Sequence, residues 1–158
     1  MNTKPTPSAI GLLVPDFTVD TTNGLFHFHA RLGRPLVLYF YPRDKTPGCT
    51  IEAGQFRDLY ADFQSHDCEI LGISRDSLTS HASFKTKLGL PFSLAADSDE
   101  HLCKMFNVIR PKSMYGKQVM GIERSTFLID RTGILRQEWR KVKADGHAKD
   151  VLVAVRSL

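Results

Sequence analysis

Apolar positions in the first half of the chain follow two different periods, and together they predict a strand, a helix and a second strand. Residues 36–41 form an unbroken apolar run, which is typical of a strand buried on both faces of a sheet. From Cys49 onwards apolar residues recur every three and four positions, which predicts a helix of about 15 residues. Residues 69–74 are apolar again and predict a second strand. The helix would then connect two parallel strands in a right-handed crossover. This order is that of an α/β domain.

The rest of the chain continues the same architecture. Alternating residues on both sides of Asn23-Gly24 predict a β-hairpin, interpreted as an N-terminal ornament of the fold. Residues 107–121 show no period, so we expect a loop there. A helix is predicted that is capped by Asp76 or Ser77 and ends at Gly89, with His81, Phe84 and Leu88 facing inward. A strand within 90–96 and a short helix burying Leu102, Cys103 and Phe106 follow it. The last predicted elements are a hairpin of 125–130 with 134–140 and a helix burying Val151, Leu152, Val155 and Leu158.

Length and charge narrow the class of protein. A chain of 158 residues fits one domain, so we expect residues 1–158 to form a single unit. No apolar run approaches the ~20 residues that span a bilayer, and the first residues lack the apolar core of a secretory signal. We therefore expect a soluble, cytoplasmic protein that does not bind membranes. The formal charge of +4 comes from scattered basic residues, which indicates a solvated face and no nucleic-acid partner.

Cysteine is the residue type that carries candidate chemistry. Cys49, Cys68 and Cys103 are odd in number and widely spaced, which indicates neither a disulfide scaffold nor a zinc site. The six histidines lack a metal-binding pattern, so we expect no metal site. Cys49 lies in the first turn of the predicted helix, where free backbone N–H groups and the helix dipole favour a thiolate. It is a candidate nucleophile, the alternative being a small buried core residue.

A sequence motif that precedes Cys49 favours its interpretation as a nucleophile over that as a core residue. Residues 42–49, PRDKTPGC, fit the pattern P-x-x-x-T-x-x-C. With this motif and the segments YFYPRDKTPGCTIEAGQFRD, EILGIS, KLGLPFSLAADSDE and MYGKQVMGIERSTFLID, nearly the whole chain resembles the peroxiredoxins, in the peroxiredoxin Q or bacterioferritin comigratory protein branch. The resemblance implies a thioredoxin-like fold, with a central mixed sheet flanked by helices. It also implies that Cys49 reduces hydroperoxides through a sulfenic acid, without metal, haem or flavin.

The resemblance carries the family's active-site set onto Pro42, Thr46, Cys49 and Arg124. The Thr46 hydroxyl can lie beside sulfur and peroxide, and Arg124 can stabilise the thiolate and the developing oxyanion. Pro42, which has no N–H donor, would shield the sulfur from water. Taken singly, Thr46 reads as a helix cap, Pro42 as a strand end and Arg124 as a surface charge. Glu52, on the first turn, is a further candidate that would favour the helix dipole or pair with an arginine.

The chain departs from its branch where a resolving thiol is expected. Many members carry a second cysteine five residues after the first, and here that residue is Gly54. Others place it early in the next helix, where this chain reads SLTSHASFK. Cys68 should lie about 22 Å away along the helix, beyond the ~7 Å between Cα atoms that a disulfide allows. Cys103 follows a strand that ends near the site, so a two-cysteine cycle with Cys103 stays open as an alternative.

Because neither usual position holds a resolving cysteine, our hypothesis is a one-cysteine cycle. The Cys49 sulfenic acid would be reduced by an external thiol, namely thioredoxin, glutaredoxin with glutathione, or a small thiol. The resemblance also implies a monomer. A second class of function remains open, a thioredoxin-like binding or chaperone module without turnover. The rate at which Cys49 consumes hydrogen peroxide, compared with free cysteine, separates the two.

Overall fold

The computed structural model describes residues 8–158. The expectation that the first residues lack the apolar core of a secretory signal concerns residues that lie largely outside this described part. The strands, in chain order, are β1 (Thr18–Thr21), β2 (Gly24–His27), β3 (Leu36–Phe40), β4 (Glu69–Ser74), β5 (Ser93–Ala96), β6 (Ile109–Met114), β7 (Lys117–Ile122), β8 (Ser125–Ile129) and β9 (Leu135–Trp139). The helices are α1 (Pro47–Ser65), α2 (Leu78–Leu88), α3 (His101–Met105) and α4 (His147–Arg156), with a 3₁₀ turn at His29–Arg31.

Seven of the strands form one mixed sheet in the order β2-β1-β5-β4-β3-β8-β9. Strand β3 lies inside the sheet between β4 and β8, parallel to β4 and antiparallel to β8, so the predicted parallel pairing of β3 and β4 across α1 is confirmed. The N-terminal hairpin is more than an ornament, because β1 pairs with β5 at Thr21 and Ala95 and extends the edge of this sheet. The result is a mixed sheet with helices on its faces.

The two faces of the sheet are buried in two separate core clusters. Alternate residues of β3 belong to each cluster, with Val37 and Tyr39 on one face and Leu38 and Phe40 on the other. This is why the strand reads as an unbroken apolar run. Helices α1, α2 and α4 cover the first face, which we call the helical face, whereas α3 contributes to the cluster on the opposite face.

Helix ends follow the predicted capping signals. The Ser77 side chain accepts a hydrogen bond from the Ser80 N–H at 3.1 Å and so begins α2, and Gly89 ends it in the left-handed region at φ 63°. Helix α1 has 19 residues and is longer than predicted. The prediction for Leu158 is wrong, because α4 ends at Arg156 and Leu158 beyond it is exposed.

Residues 107–121 are not a loop, and that prediction is wrong. Strands β6 and β7 form an antiparallel two-stranded sheet joined by Tyr115 and Gly116, which both have positive φ, at 52° and 76°. Such a pair of angles suits a two-residue hairpin turn. Most residues of both strands are exposed or half-buried, so the sequence lacks the alternation that marks a strand. Across residues 8–158, none of the helices combines the length and apolarity required to cross a membrane.

Candidate active site

Cys49 is the third residue of α1 and lies at the carboxyl end of β3, where parallel strands commonly place their chemistry. Its side chain faces the helical cluster and the residue is 1% exposed. The N–H of Cys49 belongs to the first helical turn, which has no acceptor within the helix. The sulfur therefore lies beside unpaired donors at the positive end of the helix dipole, and both can stabilise negative charge that develops there.

Arg124 supplies a cation to this sulfur. It precedes β8, whose first residue, Ser125, pairs with Phe40 at the end of β3, so the sheet register brings the arginine to the same edge as Cys49. The Arg124 Nη2 donates to Cys49 Sγ at 3.4 Å. A guanidinium in contact with sulfur stabilises the charged form of the thiol and can also donate to an oxygen that binds beside it.

Glu52 holds the other branch of the same guanidinium. Its Oε1 accepts from Arg124 Nη1 at 2.8 Å, and the residue is fully buried. Among the described residues, Glu52 Oε2 has no hydrogen-bond partner. Burial raises the pKa of Glu52 to about 7, against the opposing effect of Arg124. The pair fixes the orientation of Arg124, because a planar guanidinium held at one nitrogen has little freedom at the other.

Gly48 is a part of the site that sequence reasoning missed. A Cβ added at this position would lie 3.0 Å from Arg124 Nη2, which is closer than most real contacts of this kind. The absence of a side chain thus lets the guanidinium approach the first turn of α1. The signal in the sequence is a glycine directly before the candidate nucleophile Cys49, where a helix would gain stability from alanine.

Thr46 and Pro42 flank the site without a hydrogen bond to the sulfur. Thr46 is the residue before α1, yet its hydroxyl does not cap the helix and donates instead to the carbonyl oxygen of Arg43 at 2.9 Å. The Thr46 carbonyl accepts from the N–H of Thr50 at 2.9 Å, as a residue preceding a helix should. Pro42 is half-buried and follows β3 by two residues. The fold therefore brings Cys49, Arg124 and Glu52 into one contact chain and places Thr46 and Pro42 on the adjoining loop.

The other two thiols lie elsewhere in the fold. Cys68 precedes β4 at the opposite end of the sheet, and burial, followed by the charge of Glu69, raises its pKa to about 12. Cys103 is on α3 and belongs to the cluster on the face of the sheet opposite to Cys49. Burial, followed by Asp97, raises the pKa of Cys103 far above its ordinary value. All three cysteines are free and buried.

Within residues 8–158, two groups of side chains have the composition of a metal site. Each brings carboxylate and imidazole ligand atoms within 4.8 Å of one another. The groups are Asp44, Asp76 and His81, and Asp97, Asp99 and His101. In both, the two ring nitrogens of the histidine already have hydrogen-bond partners within the protein, so each carboxylate and imidazole belongs to an existing network.

A mixed sheet with a buried thiol at the start of its first long helix, in contact with an arginine, defines a thioredoxin-like protein with a candidate reactive cysteine. The model of the AhpC/TSA family matches residues 10–138. The chain is 53% identical over 128 residues to Peroxiredoxin Bcp of Xanthomonas campestris, which covers 81% of this chain and 80% of that protein. It is 48% identical over 126 residues to Peroxiredoxin Bcp of Bacillus subtilis, with 80% of each chain covered.

Solved structures agree with these relatives. The chain superposes on the Xanthomonas campestris bacterioferritin comigratory protein, solved to explain alkyl peroxide reduction by that protein, with a TM-score of 0.88 at 46% identity over 94% of this chain and 98% of that one. For peroxidoxin BcpB of Mycobacterium tuberculosis the TM-score is 0.84 at 31% identity, covering 96% and 98%. The chain belongs to the AhpC/TSA family, in the Bcp branch of the peroxiredoxins. It is a thiol-dependent peroxidase.

Proposed function

We propose that Cys49 acts alone in reducing hydrogen peroxide and organic hydroperoxides. The thiolate attacks one peroxide oxygen, the S–O bond forms as the O–O bond breaks, and the second oxygen leaves as hydroxide or alkoxide and takes up a proton. The sulfenic acid then condenses with an external thiol, releasing water and forming a mixed disulfide. A second thiol displaces the first as a disulfide and returns Cys49 to its reduced form.

The contact between Arg124 and Cys49 is the observation that carries this proposal. During the attack, negative charge moves from sulfur to the departing oxygen. A guanidinium 3.4 Å from the sulfur can stabilise both ends of that movement without reorganising, because Glu52 already fixes its orientation. The free N–H of Cys49 offers a second donor on the helix side. The same charge distribution would serve hydrogen peroxide and alkyl hydroperoxides.

Thr46 and Pro42 complete the proposed site from the loop. The Thr46 hydroxyl, which donates to Arg43 in this structure, would turn to donate to the bound peroxide. Pro42 offers no N–H and would keep water from competing for the thiolate. Both roles rest on the resemblance of the motif, since neither side chain contacts the sulfur by hydrogen bond here.

The environments of the remaining thiols favour a one-cysteine cycle. Position 54 is glycine, and α2 contains no cysteine. Cys103 is in the core cluster on the opposite face of the sheet, and burial together with Asp97 disfavours its thiolate. For Cys103 to resolve Cys49, α3 would have to leave the core. An external reductant needs no such unfolding.

The proposed reductant is thioredoxin, or glutaredoxin with glutathione, and the proposed compartment is the cytoplasm. Three unpaired thiols are typical of proteins in a reducing compartment. We also propose that the chain works as a monomer, which light scattering at working concentration checks. A mass of two or more chains would overturn that part.

The test of the cycle is the intact mass of the reduced protein after one equivalent of hydrogen peroxide, with a sulfenic-acid trap present and without reductant. We expect one trap adduct on Cys49 at monomer mass. Loss of two hydrogens with no adduct would show an internal disulfide and replace the proposal by the two-cysteine cycle with Cys103. An unchanged mass would overturn the peroxidase mechanism itself.

A further inference from the structure

A buried polar network joins the loop before Cys49 to α2. Asp44 is 6% exposed, although it lies in the loop between β3 and α1. Its Oδ1 accepts from the Tyr41 hydroxyl at 2.6 Å, and its Oδ2 accepts from the Ser80 hydroxyl at 2.8 Å. His81 Nδ1 lies 2.8 Å from the same Oδ2, and His81 is fully buried. The carboxylate is therefore satisfied entirely by protein groups.

Both ring nitrogens of His81 face acceptors. Nε2 lies 2.9 Å from the carbonyl oxygen of Ala95 on β5, which can only accept, and Nδ1 faces the Asp44 carboxylate. Nε2 therefore donates to that carbonyl oxygen, and Nδ1 shares a hydrogen bond with the carboxylate. These hydrogen bonds, chiefly that of His81, lower the pKa of Asp44 despite its burial. The two side chains form a buried hydrogen-bonded pair that connects β5, α2 and the loop.

The loop that this pair holds is itself in a strained conformation. Lys45, next to Asp44, has φ 66°, a left-handed conformation that costs a lysine about 1 kcal/mol. Such a residue persists where its neighbours determine the backbone path. Besides its side-chain bonds, Asp44 donates its backbone N–H to Asp76 Oδ2 at 2.9 Å. Asp44 is thus fixed through backbone and side chain, immediately before the turn that leads into Thr46.

We propose that His81 and Asp44 are positioning residues for the peroxidase site. They anchor residues 42–46 to α2 and β5, and so set where Pro42 and the Thr46 hydroxyl lie relative to Cys49. Because a misplacement of about 1 Å at a reacting centre costs on the order of a hundredfold in rate, a loop released from this anchor would slow peroxide reduction. The proposal rests on the proposed roles of Thr46 and Pro42.

A matched pair of substitutions separates anchoring from mere stability. Asparagine at position 81 can place an amide N–H where Nδ1 lies and keep the bond to Asp44. Glutamine can place it where Nε2 lies and keep only the bond to Ala95. We expect His81→Gln to lower the rate constant of Cys49 oxidation by hydrogen peroxide by about tenfold, and His81→Asn to stay within about threefold of the parent protein.

A second readout tests which part of the site moves. Alkylation of Cys49 by iodoacetamide depends on the thiolate, and therefore on Arg124 and the helix terminus, but not on a peroxide-positioning loop. We expect alkylation in both His81 variants to stay within about twofold of the parent rate. Asp44→Asn should slow peroxide oxidation as His81→Gln does, and the double variant should lose no more than the slower single variant, because the two residues act through one contact.

Val108→Ala serves as the stability control, since Val108 is fully buried in the cluster on the opposite face. It should lower the free energy of unfolding without changing peroxide oxidation. The inference is overturned if both His81 variants oxidise at the parent rate, if both slow equally in proportion to lost stability, or if alkylation falls together with oxidation. If the parent Cys49 reacts with hydrogen peroxide no faster than free cysteine does, the proposed function fails instead.

Discussion

Cys49 and Cys103 occupy equivalent places in two helices and differ in the charge beside them. Each is the third residue of its helix, α1 or α3, and they are 1% and 0% exposed. Cys49 receives a hydrogen bond from the Arg124 guanidinium. Cys103 lies against Asp97, whose Oδ2 accepts from the Cys103 N–H at 2.8 Å and whose Oδ1 accepts from the Leu102 N–H at 3.1 Å. Burial and position are alike, and the neighbouring charges have opposite signs.

The difference extends to the helix termini. The carboxylate of Asp97 satisfies first-turn N–H groups of α3, so those donors are no longer available to a thiolate or a substrate. Thr46 does not cap α1 with its side chain, which leaves the N–H of Cys49 free. We therefore expect that a cysteine at a helix start is not sufficient for reactivity. Reactivity should also require an unoccupied terminus and a cation that reaches the sulfur.

Exchange of each cysteine for serine gives the largest expected effect. Cys49→Ser should abolish peroxidase turnover, because serine lacks a nucleophilic sulfur that can form a sulfenic acid. Cys68→Ser and Cys103→Ser should keep most of the turnover in a steady-state assay with an external thiol reductant. Turnover retained in Cys49→Ser would refute the assignment, and its loss in Cys103→Ser would show that the second thiol takes part.

Removal of the Arg124 charge should have the next largest effect. Arg124→Met keeps much of the apolar stem but leaves Glu52 without its partner and the sulfur without its donor. We expect oxidation of Cys49 by hydrogen peroxide to fall by about a hundredfold to a thousandfold, the usual cost of removing a donor to developing negative charge. Arg124→Lys should recover part of that loss, because it restores the charge without the fork that contacts two groups. Stopped-flow oxidation kinetics measure both, and equal rates in the two variants would argue against a role for charge.

The motif at Cys49 could be read from sequence because its residues are neighbours in the chain, whereas the contacts that orient it are not. Glu52 and Arg124 are 72 residues apart, and Asp44 and His81 are 37 apart. Glu52 was a candidate from its place on the first turn and Arg124 from the family resemblance, but only the register of β8 against β3 shows that they meet. Asp44 lies inside the motif, but its burial cannot be predicted from the sequence, since loop carboxylates are usually solvated.

Strand prediction succeeded where burial on one or both faces leaves a pattern and failed where it does not. Strands β3, β4 and β8 are buried and apolar, so their runs are visible. Strands β6 and β7 expose most of their residues, and β6 contains Pro111. Their pairing rests on a turn at Tyr115 and Gly116, and a non-glycine residue with positive φ at the first turn position is a weak sequence signal.

Ionisation of Glu52 should make the free energy of unfolding depend on pH. Its pKa is raised from 4.5 to about 7 in the folded protein, so folding favours the protonated carboxyl. The stability that this provides is complete below pH 4.5 and is lost as the pH rises through about 7. We expect the free energy of unfolding to fall by ~3 kcal/mol across this interval from this group alone. Chemical denaturation at a series of pH values measures it.

Glu52→Gln should flatten that slope, because the amide does not ionise. Glu138→Gln is the matched control, since Glu138 is partly exposed on β9 and pairs with Arg140 at 3.2 Å. The control should leave the slope as it is in the parent protein. If the free energy of unfolding of Glu52→Gln still falls with pH as in the parent protein, another group causes the pH dependence. The buried Glu52 carboxyl would then not have the raised pKa described here.

The smallest expected effect comes from removing the negative charge beside Cys103. Asp97→Asn, made in a chain where Cys49 and Cys68 are serine, leaves Cys103 as the sole thiol. The pKa of Cys103 should fall, because Asp97 contributes to raising it, but burial remains the larger cause and α3 loses part of its cap, at about 1 kcal/mol. Alkylation of Cys103 against pH should shift to lower pH, while peroxide oxidation stays at the rate of an ordinary thiol. Rapid oxidation by peroxide in this variant would mean that removing a carboxylate is enough, and that the cation at Cys49 is not what distinguishes the two helices.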